Sequence, residues 1–405
     1  MPSKYAGQST IFEDEEVLSE DWTPDDLPER DDEISQLESA FAPATRGAGA
    51  DNVFLYGKAG QGKTAAAQVE LSELEYHAEN ESDILDLTTL FVSCEDLTTS
   101  FQVVNQIVYQ LTGERMNGLS TSEAFDRMFE EFNKIGGTII LVLDEIDNIG
   151  TDDKILYSIP RARSKGYVDE DVYPSIVGIS NNLKWRDNLS PKVKDSLYDE
   201  SVHFVPYDAK QLGEILERRA QKAFIDEDVL GNDVIPIASA FSAQDKGSAR
   251  QAIGYLRKAA KLASSKGDET VTESHVREAE ALIEKERVEE GMRGLTTQGH
   301  LALAATTALE LSNDTPARTK IIYGIYKNMA KKIDFNILAM RRMRDQLHDL
   351  DMQGIMIRSE FNDGSQGGHY YKYELGIETE AAVSVLSNIS RLDEIDLNSI
   401  ETTHR

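Results

Sequence analysis

The residues best suited to chemistry lie near the amino end, in Gly57-Lys58-Ala59-Gly60-Gln61-Gly62-Lys63-Thr64. This is the full Gly-x4-Gly-Lys-Thr phosphate-loop pattern. Gly57, Gly60 and Gly62 let the backbone curl so that successive N–H groups point at one anion. A helix starting near Lys63 adds its positive pole, and Ala65 continues that helix. In this pattern Lys63 is expected to reach the β- and γ-phosphates of a nucleotide and Thr64 to hold Mg²⁺ through its hydroxyl. A second candidate pair, Asp144 and Glu145, ends the run TIILVLDEID (138–147). Asp144 would hold Mg²⁺ through water, leaving Glu145 to polarise an attacking water. The plain alternatives are a glycine turn and an acidic turn. The two motifs together, each at the end of an apolar run, argue against both.

Such groups need rigid elements beneath them. Val53–Leu55 reads as the strand before the phosphate loop, and the helix after it runs to about Tyr76. Leu90–Cys94, Ile139–Leu143, Ser175–Ser180 and Val202–Val205 read as further strands, with helices near 102–111 and 123–133 between them. Strands alternating with helices predict a parallel sheet covered on both faces, with ligands beyond the strand carboxyl ends. Asn181 follows one such strand, where its amide could orient water. From Asp208 to Lys285 no strand signal appears, and helices are expected near 209–223, 233–241, 248–264 and 272–287. Arg250 opens the third of these; its guanidinium could reach a phosphate.

From Gly299 the pattern changes to helices at 299–311, 317–331 and 336–353, then strands 355–360 and 369–375 around FNDGSQGG (361–368). Three helices and a hairpin predict a winged helix-turn-helix whose third helix enters the major groove of duplex DNA. Arg341, Arg342 and Arg344 cluster on that helix; Arg358, Gln366, His369 and Lys372 decorate the hairpin. A protein-binding winged helix with a solvated charged face is the alternative.

The 405 residues suggest two or three domains, and a 40% hydrophobic share is enough for real cores. The net charge is −30, which alone would argue against nucleic acid. Residues 299–375, however, hold ten Lys/Arg and nine Asp/Glu, leaving −31 on the rest. An acidic body with one near-neutral module fits a DNA-binding protein of a high-salt cytoplasm. The single cysteine, Cys94, rules out an internal disulfide and reads as a core residue. No signal peptide or long apolar run is evident, so a soluble cytoplasmic protein without membrane contact is expected. Residues 1–20 are polar and acidic and are expected to be a poorly ordered arm, at least to Gly7. The expected division is 1–20 arm, 21–206 α/β base, 207–292 helical lid, 293–390 winged helix and 391–405 tail.

With these motifs in order, nearly the whole chain from Val17 to Leu375 resembles the archaeal initiators of the origin recognition complex subunit one / cell division control protein six family, within the AAA+ ATPases. The resemblance rests on LPERDDEI (27–34), GKAGQGKT (57–64), LVLDEID (141–147), ISNNLKWRDNLSPKVKDSL (179–197), FVPYDAKQLGEILERRA (204–220), GSARQAIGYLRKA (247–259) and the winged helix. It implies a nucleotide set of ATP or ADP with Mg²⁺, in which Pro28 and Arg30 flank adenine and Tyr207 completes the pocket. Asn181 then becomes the first sensor and Arg250 the second, while 116–120 falls where these initiators touch duplex DNA. It also implies origin DNA, a replicative helicase (MCM) and other initiator protomers as partners, nucleoid association, and slow hydrolysis used as a switch. A non-initiator AAA+ ATPase, such as a clamp-loader or transposition-regulator subunit, is the rival. The chain departs from the AAA+ pattern at Lys58-Ala59 and Gln61, where prolines and a threonine are frequent. Lys192 stands where the family often places arginine, and a lysine, here or at Lys194, cannot make the two-point contact of an arginine finger.

Overall fold

A computed structural model describes residues 11–80, 86–197, 200–362 and 369–397. The chain divides into two compact units, 1–279 and 280–405, each built on its own core.

In the first unit, helix α1 (Asp31–Phe41) opens on Asp31, Asp32 and Glu33, acids that suit a helix amino end. Strand β1 (Val53–Tyr56) runs into the phosphate loop and α2 (Lys63–Asn80). There follow β2 (Leu87–Ser93), α3 (Ser100–Thr112), α4 (Thr121–Ile135) and β3 (Gly137–Asp144). Next come short α5 (Lys154–Ser158), β4 (Val172–Ser180), α6 (Trp185–Asn188), α7 (Pro191–Leu197) and β5 (Glu200–His203). The five strands are parallel in the order β2-β3-β4-β1-β5, so β1 lies inside the sheet with Leu55 beside Ile179 and Val202. The continuous apolar run of β3 is explained by burial on both faces. Ile139, Leu141 and Leu143 pack with Val104, Ile107, Phe125 and Phe129 of α3 and α4. Ile140 and Val142 pack with Leu37 and Phe41 of α1 and Ala66, Ala67 and Leu71 of α2. Cys94 is fully buried in the first of these cores, and burial pushes its thiol up to about 12.

The lid contains α8 (Ala209–Ala223), α9 (Val234–Asp245), α10 (Ala249–Lys266) and the start of α11 (Glu273–Arg293). Asp208 caps α8 in a reciprocal box with Gln211, and Ser248 caps α10 through Gln251 N–H.

The amino-terminal arm differs from expectation. Residues 11–20 pack on the lid. Ile11, Val17 and Leu18 are buried, and a 3-10 turn, Glu15–Leu18, starts at Asp14. Spaced apolar side chains, with the ion pairs of Glu15 to Arg257 and Lys261, seat an otherwise acidic stretch. Residues 1–10 lie outside the described residues.

The second unit holds α12 (Thr297–Leu311), the two-residue strand β6 (Ala317–Arg318), α13 (Thr319–Lys332) and α14 (Met340–Met352). The hairpin β7 (Met356–Asn362) and β8 (His369–Leu375) and then α15 (Thr379–Leu386) follow. The sheet order is β6-β8-β7, with β7 and β8 antiparallel. Helix α12 is buried along most of its length, and α13, α14, α15 and the hairpin wrap it. The sequence showed neither β6 nor α15. Both are short, and the apolar face of α15 (Ala382, Val385, Leu386) has meaning only against this core.

Candidate nucleotide site and nucleic-acid surface

The phosphate loop closes on itself through its lysine. Lys63 is 4% exposed. Its Nζ donates to Gly57 O (3.0 Å), Lys58 O (2.7 Å) and Asn181 Oδ1 (2.8 Å). Burial pushes the ammonium down to about 8, against the pull of Asp144. Thr64 Oγ1 donates to Asp144 Oδ2 at 2.8 Å, and Asn181 Nδ2 donates to Glu145 Oε1 at 3.1 Å. Glu145 N–H donates to Asp144 Oδ1 at 2.9 Å, so five residues from β1–α2, β3 and β4 form one continuous polar network at the carboxyl ends of neighbouring strands. Glu145 is held in the left-handed region (φ 54). Burial, followed by the charges of Asp144, Glu95 and Asp147, pushes its carboxyl up, the direction that suits a proton acceptor.

A cavity of about 480 Å³ adjoins this network. It is lined on the loop side by Ala59, Gly60, Gln61, Gly62, Lys63, Thr64 and Ala65, with Asp144, Glu145 and Asn181. Tyr207, Ile215, Arg250 and Ile253 line it from the hinge and lid, and Leu18, Trp22, Pro24, Leu27 and Pro28 from the amino-terminal segment. The apolar members suit a planar base and the loop suits phosphates. Gln61 is fully buried, and neither atom of its side-chain amide has a hydrogen-bond partner among the described residues. Such burial is costly, so the loop is suited to completion by a polar ligand. The Thr64 hydroxyl and Asp144 carboxylate form a hard oxygen pair of the kind Mg²⁺ takes. The residues present fit both groups.

Loop and lid touch directly. Ala249 N–H donates to Gly60 O at 2.9 Å. Gly60 has φ +76, and a Cβ there would stand 2.0 Å from Ser248 Oγ, so glycine is required twice over. Arg250 lines the cavity, with its Nε 3.6 Å from Glu20 Oε2.

Three members of the expected set serve elsewhere. Gly57 and Lys58 do not line the cavity; their carbonyls hold Lys63. Arg30 does not line it either. It is 2% exposed, donates to Glu33 Oε1 (2.6 Å) and Val205 O (2.7 Å), and lies 3.8 Å over the Tyr207 ring. It ties α1 to the segment between β5 and α8, and of the expected pair Pro28 lines the cavity and Arg30 does not. Sequence reasoning passed over Trp22, Arg218, Arg219, Lys222 and Arg257, which also line the cavity. The only signal was the cationic run ERRAQK (217–222) on α8. Lys192 is exposed on α7, and Lys194 Nζ donates to Asp187 O at 2.8 Å.

In the second unit Arg341, Arg342 and Arg344 are exposed on α14, opposite buried Met343, Leu347 and Leu350. Arg358 is engaged by Asp351 (Nε–Oδ2 3.4 Å) and lies 4.8 Å over the Tyr371 ring. His369 Nδ1 is 3.0 Å from Glu360 Oε1, and Lys372 Nζ lies 4.9 Å over Phe361. Gln366 lies outside the described residues. No helix among the described residues is long and apolar enough to cross a membrane.

A five-stranded parallel sheet, a phosphate loop joined to two acids and a strand-end asparagine, and a helical lid define an AAA-type ATPase, here with a winged helix following. Family models agree: residues 26–159 match an AAA ATPase domain, 213–281 a Cdc6 AAA+ ATPase-type lid domain and 290–385 a CDC6 C-terminal winged helix domain. ORC1-type DNA replication protein 1 of Haloarcula marismortui is 38% identical, covering 96% of both chains. ORC1-type DNA replication protein 8 of Halobacterium salinarum is also 38% identical, covering 93% of this chain and 96% of that one. The solved Aeropyrum pernix ORC1 protein in complex with DNA aligns at TM-score 0.81 and 34% identity, over 96% of this chain and 99% of that one. The chain belongs to the ORC1-type DNA replication protein family.

Proposed function

We propose that the chain is an ATP-regulated replication initiator that binds duplex origin DNA and helps recruit a replicative helicase (MCM), acting beside the nucleoid in the cytoplasm and alongside other initiator protomers. The observation that carries this reading is the single polar network of Lys63, Thr64, Asp144, Glu145 and Asn181 beside the cavity. In this reading residues 21–206 form the base, 207–292 the lid and 293–390 the DNA-binding winged helix.

Gly60 to Ala65 hold the phosphates of ATP or ADP, Lys63 supplies the charge, and Trp22, Pro28 and Tyr207 enclose the base end. Thr64 and Asp144 hold Mg²⁺, which supplies charge neutralisation for the triphosphate. Glu145, its carboxyl raised by burial and neighbouring acids, accepts the proton of a water that Asn181 orients. Arg250 reports the occupant of the cavity to α10. Hydrolysis is slow and serves as a switch. Arg341, Arg342 and Arg344 meet DNA phosphates, joined by Arg358, Gln366, His369 and Lys372 of the wing.

The test is Lys63→Ala. ATP binding measured by calorimetry should be lost while duplex binding at low salt persists. Wild-type ATP affinity in this variant would refute the site.

A further inference from the structure

The cavity has a wall made by the amino-terminal segment, ahead of both the sheet and the lid helices. Residues 18–28 run along it, and Glu20, Trp22, Pro24 and Asp26 line it. Both ends of this stretch are anchored by burial. At the near end Ile11, Val17 and Leu18 are buried and Phe12 stacks on Phe224 of the lid at 5.5 Å. There Glu15 also meets Arg257 (2.9 Å) and Lys261 (2.7 Å). At the far end Arg30 is locked between Glu33 and Val205 O.

The span between the anchors is held differently. None of residues 19–27 is buried. Its ionic contacts to the lid are Glu20 with Arg250 (3.6 Å), Asp25 with Lys222 (2.8 Å) and Asp26 with Arg218, every side chain more than half exposed. Arg219 adds a long hydrogen bond to Trp22 O (3.4 Å) and lies 4.0 Å over its ring, and Thr23 Oγ1 donates to Gln68 of α2 at 3.1 Å. The span thus bridges lid and phosphate-loop helix mainly through exposed polar contacts, with Trp22 under Arg219 and Leu27 at the edge of the sheet core, while its two ends are fixed.

We propose that residues 19–27 are an ionic flap over the nucleotide cavity, whose opening limits nucleotide exchange and is eased by salt. This rests on the nucleotide-site reading above. Opening the flap breaks three solvent-exposed ion pairs, a class individually weak and readily screened, together with the Arg219–Trp22 and Thr23–Gln68 contacts and the edge packing of Leu27. Opening the lid instead would break the Ala249 N–H to Gly60 O bond at 2.9 Å and the tight seat of Ser248 on the loop. The flap is the easier route, and both anchors survive it. One of its pairs also holds Arg250, so flap position and the charge facing the phosphates are coupled.

The test is release of N-methylanthraniloyl-ADP from the full chain, chased with excess ADP in a stopped-flow instrument. At about 0.1 M KCl the triple variant E20Q/D25N/D26N should release it about three- to tenfold faster than wild type. At about 1 M KCl the wild-type rate should rise to meet the variant's, which changes less. The exchanged pair D25K/K222D should release more slowly than D25N alone. Equal rates at low salt, or wild-type and variant rates rising in parallel with salt, would overturn the flap while leaving the nucleotide site intact. A wild-type chain that binds no labelled ADP would overturn the nucleotide reading itself, and the flap with it.

Discussion

Gly60→Ala tests whether the phosphate loop and the lid are one mechanical unit. The added methyl would lie 2.0 Å from Ser248 Oγ, 3.0 Å from Ser248 Cβ and 3.3 Å from Arg250 Cβ. Holding alanine at φ +76 costs about 1–2 kcal/mol by itself. The clash then has two ways out. Ser248 can rotate, giving up its cap on Gln251 N–H (3.3 Å), a loss of about 1 kcal/mol. Otherwise α10 withdraws by about 1.4 Å to reach ordinary contact, and the Ala249 N–H to Gly60 O bond goes, a similar loss of about 1 kcal/mol. Either way the total is about 2–3 kcal/mol. Gly118→Ala is the control, because Gly118 has the same φ of +76 with nothing within 4 Å of its added methyl; it meets only the backbone cost. Chemical denaturation should show Gly60→Ala to be less stable than Gly118→Ala by about 1 kcal/mol, and nucleotide titration should show affinity reduced about tenfold in the first variant alone. Adding Ser248→Gly, a cap substitution that costs only a few tenths of a kcal/mol, should recover most of both losses. Equal behaviour of the two alanine variants, or no recovery on trimming Ser248, would refute the coupling.

Two further perturbations address other parts of the molecule. Glu70 is buried on α2, and burial, then Glu73 and Glu38, push its carboxyl up to about 7. Its folded value exceeds the unfolded one, so between about pH 4.5 and 7 the folded chain holds more protons and stability falls as pH rises. Glu70→Gln should match wild type below pH 4.5 and exceed it by on the order of 2 kcal/mol above pH 7; denaturation curves that stay parallel across this range would contradict the assignment. Replacing Arg341, Arg342 and Arg344 by alanine leaves the buried face of α14 intact, so the fold should persist. Duplex affinity at low salt should drop and the slope of log K against log salt should shrink by about 2–3. An unchanged slope would mean that these arginines do not meet phosphates.

The sheet was legible because local pattern and tertiary role coincide there. The five apolar residues of β3 have one explanation, burial on both faces, and the structure supplies it on either side. The phosphate loop was legible for a related reason: its spacing is dictated by backbone geometry that few other residue types can adopt. Asn181 could be singled out because a strand end in a parallel sheet is already a ligand position. The lid helices expected near 209–223 and 248–264 begin where Asp208 and Ser248 cap them in the structure.

What stayed hidden depended on partners far along the chain. Arg30 lies in the same short motif as Pro28, yet Pro28 lines the cavity and Arg30 is turned onto Val205 O, 175 residues away. Its fate was set by a hinge carbonyl that no local pattern encodes. The acidic arm is the same case at larger scale. A run such as Glu13-Asp14-Glu15-Glu16 reads as solvated because repulsion is local and visible, while Arg257 and Lys261, which hold Glu15, arrive from some 240 residues later. Net charge misleads for the same reason. Of a chain at −30, part of the acidity is spent against the cations of α8 and α10 on one wall of a cavity. Charge that is paired across such a distance does positional work, holding one element against another, and composition alone cannot distinguish it from charge that merely faces water.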